Sequence, residues 1–431
     1  MNMLRSHYSN EIGEKDYGKK ISIAGWVEDI RNLGGIAFVI LRDRYGRMQI
    51  TAIKKQNPDL FKELVSLSRE SVIAAYGTCQ ENEKVMNGWE LLIEKMKVLA
   101  KADTPLPMGV IDKVNVDFDT RLDNRIIDLR RDEVKAIFMI RHSFIGFASE
   151  FLRKHGFVEV HTPKISAASS EGGTEVFRIN YFGRPAYLVQ SPQLYKQMLM
   201  ASGLDRVYEI AWYFRAEEHD TTRHLNESTA IDIEMAFIES EEEVMKVAEQ
   251  MTDYAIQKIV DENSKELDIL KVEIDLPSLP YPRITYDEVV EILQRETDFK
   301  WGDDLGTDEE NLLAKHIDYE LYFITKFPLE IKPFYAMFDG KYARAFDLEF
   351  KGMEIASGAQ RIHDYDLLIK RMDELGMNKE NFEDYLKAFR YGMPPHGGFG
   401  YGIERFLMRL LNLKNIRECI LFPRDRKRLK P

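Results

Sequence analysis

YFRAEEHDTTRHLNE, residues 213–227, is the stretch on which the reading of this 431-residue chain turns. It places Arg215 directly after an aromatic pair and follows it with Glu217, Arg223 and His224. Alone, such a step is as well explained by a surface ion pair. Two further segments change that: FVEVHTPKI at 157–165 and FGYGIER at 399–405. The planar fork of an arginine such as Arg215 pairs two phosphate oxygens at once. Glu217 can accept a hydrogen bond from an adenine amino group, and Arg223 and His224 lie on the loop where outer phosphates would sit. Downstream, Gly398, Gly400 and Gly402 permit close backbone approach, and Arg405 can lay its guanidinium over a flat ring.

Residues 342–361, YARAFDLEFKGMEIASGAQR, read as a hairpin. With Lys351-Gly352 as a two-residue turn, Glu349 stands opposite Glu354 and Asp347 falls on the same face. Three carboxylates on one patch repel one another unless a cation sits there. Magnesium is the fitting ion, because it takes carboxylate oxygens together with substrate phosphates. Ser357-Gly358 looks like a β-bulge that shifts the register and lets Arg361 point to the same side. Two more segments resemble parts of a substrate pocket. SSEGGTE, 169–175, is a glycine-hinged loop carrying Glu171, suited to a lid whose acid meets an amino group. QSPQLYKQ, 190–197, offers Gln193 and Lys196 at helical spacing behind a helix start at Ser191-Pro192.

Around these segments the chain reads as α+β. In the first hundred residues, five short runs rich in Ile, Val and aromatics alternate with turn signals, and a helical stretch at 58–67 lies between the third and fourth. That order is the order of an OB-fold barrel, which commonly binds single-stranded nucleic acid. Residues 1–101 carry 16 Lys and Arg against 13 Asp and Glu, a charge of +3, so the remainder carries −15 of the total of −12. A mildly basic unit on an acidic body is compatible with local binding of a polyanion. Residues 102–130 read as a hinge, and 131–431 as a second domain of strands interspersed with helices around an antiparallel sheet. Its clearest helices are expected near 131–155 and 241–260. No apolar run reaches the roughly 20 residues of a membrane helix, and residues 1–15 lack a signal-peptide layout, so a cytoplasmic protein is expected. Cys79 and Cys419 stand far apart without ligand spacing, which argues for two small buried hydrophobes rather than a disulfide or a zinc site.

In this order and spacing the three segments match the three motifs of class II aminoacyl-tRNA synthetases. Across nearly its whole length the chain resembles the compact archaeal type of aspartyl-tRNA synthetase, class IIb, with an N-terminal anticodon-binding OB domain. The resemblance implies a homodimer that activates L-aspartate with ATP and magnesium and transfers it to tRNA(Asp), or to tRNA(Asp) and tRNA(Asn) alike. It implies catalytic roles for Arg215 and Arg405. Contacts to the amino acid fall to Glu171, Ser191, Gln193, Lys196, Asp232 and Arg361, and contacts to ATP to Arg215, Glu217, Arg223, His224, Glu354 and Arg405. Metal positions fall on Asp347, Glu354 and Ser357, and anticodon contacts on Arg31, Phe38 and Gln49. Two positions depart from the family pattern. Ser228 stands where a phenylalanine usually stacks under adenine, and Glu28 and Val85-Met86 fit neither pattern around the last anticodon base. Asparaginyl-tRNA synthetase is the alternative with the same fold. Lys196 argues against it, since a cation facing the substrate side chain suits a carboxylate and leaves an amide poorly compensated. FVEVHTPKI is expected to place Pro163 on a strand at the dimer contact.

Overall fold

Alternating apolar residues form the core of a barrel within the first hundred residues. The computed structural model describes residues 4–85, 87–111, 116–167, 175–218 and 221–431. Two compact units divide the chain, Met1–Thr120 and Arg121–Pro431. In the first, β1 (Lys20–Asn32), β2 (Ile36–Arg42), β3 (Arg47–Ile53), β4 (Val72–Glu81) and β5 (Trp89–Ala100) form a closed barrel in the order β1-β2-β3-β5-β4. Every second residue fills its interior: Ala37, Val39 and Leu41 of β2, Met48, Ile50 and Ala52 of β3, Trp89, Leu91 and Ile93 of β5. A strand side chain repeats its face every two residues, so the intervening positions lie outside. The helix Pro58–Val65 starts where its sequence dictates. Asn57 accepts from the Leu60 amide, and Pro58 takes a first-turn position where its missing N–H costs nothing.

The second unit is built on an eight-stranded sheet. After β6 (Val158–Glu159), the strands β7 (Ile165–Ser166), β8 (Arg178–Tyr181) and β9 (Arg184–Leu188) form a small sheet of their own, ordered β7-β9-β8. The main sheet takes β10 (Arg206–Phe214), β11 (Glu227–Ala236), β12 (Arg283–Thr285) and β13 (Leu321–Thr325). Past the small pair β14 (Phe338–Asp339) and β15 (Tyr342–Ala343), it adds β16 (Ala345–Phe350), β17 (Glu354–Gln360) and β18 (His396–Gly402). The order is β12-β13-β16-β17-β18-β11-β10-β6. Six central strands are antiparallel, and one parallel strand sits at each edge. Pro163 falls between β6 and β7 and in neither, which corrects its expected place on a strand.

One face of the sheet is apolar and the other polar. Ile231, Ile233 and Met235 of β11, Phe346, Leu348 and Phe350 of β16, and Phe399 and Tyr401 of β18 join one core with the helices Asp132–Lys154 and Glu241–Glu262. The residues between them face the other way: Asp232 and Glu234, Asp347 and Glu349, Gly398 and Gly400. Sequence alternation thus gathers charged groups on one surface of the sheet. Both cysteines are free and buried, as small hydrophobes.

Candidate active site

A cleft of about 300 Å³ opens over the polar face of the central strands. It is lined by Ser191, Gln193, Arg215, Glu217, Arg223, His224, Ser228, Asp232, Glu354, Ser357, Arg361 and Arg405, so the structure brings most of the predicted positions together. Glu171 and Met86 lie outside the described residues.

The floor is a closed set of ion pairs. Lys196, on the helix Gln193–Met200, donates to Asp232 Oδ1 (2.8 Å) and to the Phe399 carbonyl (2.9 Å), and stands 3.6 Å from Glu234 Oε2. Tyr213 donates to the other oxygen of Asp232 at 2.7 Å. Arg361 pairs with Glu234 through Nε (3.0 Å) and Nη2 (3.3 Å), reaches the Gly398 carbonyl (2.9 Å) and packs its guanidinium over Tyr335. Lys196, Asp232, Glu234 and Arg361 are all at most 4% exposed. Charges this deep persist only when paired. Neither Lys196 nor Arg361 is therefore an uncompensated cation awaiting a substrate carboxylate, which corrects the basis on which an amide was disfavoured above. Glu234 escaped the sequence reading, although the alternation IDIEMA at 231–236 puts it on the face of Asp232. The glycines of β18 make room for this network: a Cβ on Gly398 would lie 2.2 Å from Glu234 Oε2, and one on Gly400 would lie 2.7 Å from the Tyr213 hydroxyl. Behind the floor, burial drives the His396 imidazole down to about 4, so it is neutral at ordinary pH. Its Nε2 stands 3.3 Å from Gln197 Oε1, which also accepts from the Tyr385 hydroxyl.

The hairpin is unlike the floor. Lys351 and Gly352 form the expected tight turn, both at positive φ (49° and 69°), and Glu349 lies opposite Glu354. The bulge, however, sits two residues earlier than expected. Asp347 pairs with Ser357 and Phe346 with Gly358 in regular register, whereas the shift comes where Glu349 meets Glu354, with Ile355 as the extra residue. That insertion puts Glu354, Ser357 and Arg361 on one side despite their odd spacing. The glycine at 358 has a different cause: a Cβ there would come within 2.4 Å of the Phe346 ring. Asp347 Oδ2 accepts from Lys332 at 2.7 Å, while Asp347 Oδ1 and Glu349 Oε2 are buried with no hydrogen-bond partner. Burial and then the neighbouring Glu310 hold the Glu349 carboxyl well above its usual range, and burial and Glu354 push Glu310 up to about 7. Glu349 is 1% exposed and does not line the cleft. Among the described residues no three His, Cys, Asp or Glu side chains are arranged to hold a metal ion, so the expected patch of three carboxylates is not a preformed metal cage.

The phosphate-facing candidates divide in two. Arg215 stands 3.7 Å from Glu217, half-exposed, with its backbone fixed by Asn226. Arg405 donates to the Glu354 carbonyl (3.1 Å) and approaches its carboxylate (3.4 Å). His224 lies against Thr221 and 3.9 Å from Glu217. Arg223, by contrast, is committed elsewhere. It donates to Glu310 (2.7 Å) and Asn311 (2.9 Å) on the helix Thr307–His316 and to the Gly352 carbonyl (3.2 Å). As placed, it ties its loop to the hairpin turn rather than standing free for a phosphate. Glu404, missed in the sequence, is buried and anchors Thr229 of β11 and Arg141.

On the barrel, Arg31, Phe38 and Gln49 share the outer face. Arg31 pairs with Phe38 across β1 and β2, and Gln49 with Ile40 across β2 and β3. Gln49 donates to Glu90 at 2.9 Å. Glu28 points into a different network, accepting from Arg42 (3.1 Å) and Arg47 (2.6 Å).

Residues 117–426 match the family described as tRNA synthetases class II (D, K and N), and residues 21–99 match an OB-fold nucleic acid binding domain. The chain is 54% identical to the aspartate–tRNA(Asp) ligase of Thermococcus kodakarensis and 50% identical to the aspartate–tRNA(Asp/Asn) ligase of Methanopyrus kandleri, with full coverage of both sequences in each case. Among solved structures, the asparaginyl-tRNA synthetase of Pyrococcus horikoshii with asparaginyl-adenylate superposes with a TM-score of 0.92 at 34% identity, covering both chains fully. The aspartyl tRNA synthetase of Entamoeba histolytica gives 0.86 at 33%, covering all of this chain and 93% of that one. The chain belongs to the class II tRNA synthetases of the D, K and N group.

Proposed function

We propose that this chain activates L-aspartate with ATP and passes the aspartyl group to tRNA. What supports the reading is one cleft with Arg215 at a phosphate end and Arg405 at an adenine end over a floor of buried ion pairs, together with full-length matches at 54% and 50% identity to ligases named for aspartate. A carboxylate of aspartate attacks the α-phosphorus, the bond to pyrophosphate breaks, and a tRNA hydroxyl then displaces AMP from the carbonyl carbon. Arg215 would neutralise charge gathering on the α-phosphate, which is where electrostatic stabilisation lowers the barrier. Arg405 would cover the adenine, with Glu217 accepting from its amino group. Gln193, whose Nε2 is buried without a partner, and Ser191 stand ready to orient the amino acid.

The residues fit a magnesium ion bound together with ATP. Asp347 keeps one buried oxygen without a partner, Glu354 lines the cleft and Ser357 stands opposite Asp347. One or two carboxylates plus phosphates is how this ion is usually held. When bound, it would offset negative charge on the phosphates. The test of the whole reading is pyrophosphate exchange with aspartate and with asparagine. Exchange confined to aspartate is expected, and equal activation of both would overturn the substrate assignment.

A homodimer completes the proposal. Val158, Ile165, Phe177, Tyr181 and Phe182 leave apolar side chains exposed around the HTPK segment, Phe182 at 89%. An obligate interface of this kind buries more than about 2,000 Å². Sedimentation should find a species of twice the 50.3 kDa chain, and a purely monomeric species at micromolar concentration would refute it.

A further inference from the structure

Lys332 has no part in the chemistry proposed above, yet its ammonium is held inside the cleft. It follows the short turn Leu329–Ile331 and lines the cavity together with Glu354 and Ser357. Its Nζ donates to Asp347 Oδ2 at 2.7 Å, with the two side chains only 12% and 10% exposed. The same ammonium lies 3.6 Å from the centroid of the Phe327 ring, itself 1% exposed. Ion pair and aromatic face together fix this lysine in place, unlike a mobile surface side chain. The other oxygen of Asp347 is buried and has no partner. One of the two carboxylates assigned above to magnesium therefore already has a cation in contact with it.

We propose that Lys332 is a resident counter-ion that keeps Asp347 and Glu354 from holding a free divalent cation, so that metal enters the cleft only with the phosphates of ATP. The inference rests on the metal reading given above. Two carboxylates on adjacent strands would attract a bare dication at low dielectric, and the Lys332 ammonium offsets the charge of Asp347 as Arg405, at 3.4 Å, approaches that of Glu354. A hydrated dication gives up its waters reluctantly for so few protein ligands. A dication that arrives on a triphosphate brings its own oxygen ligands and needs less from the protein. Metal and nucleotide then load as a unit, and a metal without nucleotide does not occupy the site in a dead-end form.

The experiment uses manganese(II) as a spectroscopic probe of the full-length, nucleotide-free protein, with free ion measured by its paramagnetic resonance signal. Lys332→Met should bind manganese at least tenfold more tightly than the native protein, one ion per chain, and Lys332→Arg should match the native protein. Adding Asp347→Ala to Lys332→Met should abolish the gain. Lys332→Gln, equally neutral, is measured alongside, and it decides the matter if the methionine variant does not fold. Neutral variants that bind free manganese no more tightly than the native protein overturn the inference, as does an arginine variant that binds as tightly as the neutral ones. A second arm adds a non-hydrolysable ATP analogue to Asp347→Ala and Glu354→Ala. If these variants keep nucleotide-dependent manganese binding, the metal reading itself fails. If they lose it while the Lys332 variants are unchanged, only the role of Lys332 fails.

Discussion

Two groups of charges share the polar face of one sheet, and they are built on opposite principles. The floor under β11 and β18 balances its signs: Lys196 and Arg361 against Asp232 and Glu234, each within 3.6 Å of a partner. The hairpin β16–β17 does not. Asp347, Glu349 and Glu354, with Glu310 beside them, outnumber the cations in contact with them, and two of their oxygens are buried without a hydrogen bond. A balanced network holds its own geometry, because removing any one partner strands the others. An unbalanced one is strained until something positive arrives. On the function proposed above, the floor would orient a small zwitterion and the hairpin would take a cation that travels with its substrate.

The largest effect should come from the hairpin. Glu354→Ala removes an oxygen ligand for charge on the reacting phosphates, so aspartyl-adenylate formation should fall on the order of a thousandfold, by analogy with the loss of a single transition-state donor. Stability should move the other way or not at all, because a like charge has been taken from a crowded group. Pyrophosphate exchange and urea unfolding on the same preparation check both halves. Near-normal exchange would sink the assignment of Glu354.

Breaking the floor should damage both properties together. Lys196→Leu leaves Asp232 and Glu234 facing each other without their shared cation. Removing one partner of a buried pair costs about 3–5 kcal/mol of stability. The same loss in a closed site lowers kcat/KM for aspartate by about 2–5 kcal/mol, tens to thousands of fold. The affinity for ATP should hardly change. A variant as stable as the native protein would show that the floor is not the balanced network described here.

The floor also has a pH signature. His396 titrates near 4 in the folded chain, against 6.5 when free, because burial disfavours its charged form. Glu234 acts to raise that value, and Arg361 and His363 act to lower it. Between those two values the unfolded chain binds a proton that the folded chain refuses, so stability rises with pH there. The contribution is complete above about pH 6.5 and drains as the pH falls toward 4, to a loss of about 3 kcal/mol. His396→Gln, which cannot titrate, should flatten this part of the urea-unfolding profile. An unchanged slope would mean that the imidazole takes up its proton equally in the folded and unfolded chains, so that burial has not lowered its pKa.

How far these two groups could be read in advance follows from what holds each of them. The hairpin turn was legible because Lys351-Gly352 between alternating runs demands positive φ at both positions. The bulge was misplaced because Ser357-Gly358 carries the usual signal for one, whereas Gly358 is small only to clear Phe346. Local rules see the backbone a residue needs and not the ring packed against it. The floor was half legible. Lys196 and Arg361 stood out through family resemblance; alternation puts Glu234 on the face of Asp232, but its pairing with Arg361, 127 positions away, leaves no local signal. The partners of Arg223 were illegible for the same reason, since Glu310 and Asn311 belong to a helix 87 and 88 residues on. The barrel gave up most of its fold to alternation alone, because its core is apolar and its neighbours are close in sequence.

The barrel offers the smallest effect and a control on the rest. Phe38 lies on its outer face beside Arg31, with no buried charge network depending on it, so removing the ring should cost only the contact it makes. Stacking of a base on an aromatic side chain is worth about 1–3 kcal/mol, and the amide of Gln49 could satisfy a donor and an acceptor on a neighbouring base edge. Phe38→Ala should therefore weaken aminoacylation of tRNA by about five- to 150-fold through KM, while the rate of aspartyl-adenylate formation stays at the native value. Charging aspartate and asparagine tRNA transcripts side by side with the native enzyme sharpens the point. Comparable efficiencies would place the anticodon contacts on positions that the two tRNAs share, and a gap above about tenfold, or 1.4 kcal/mol, would place a discriminating contact on the base that differs. If Phe38→Ala instead abolished adenylate formation and left tRNA binding intact, the separation of anticodon reading from activation would be wrong.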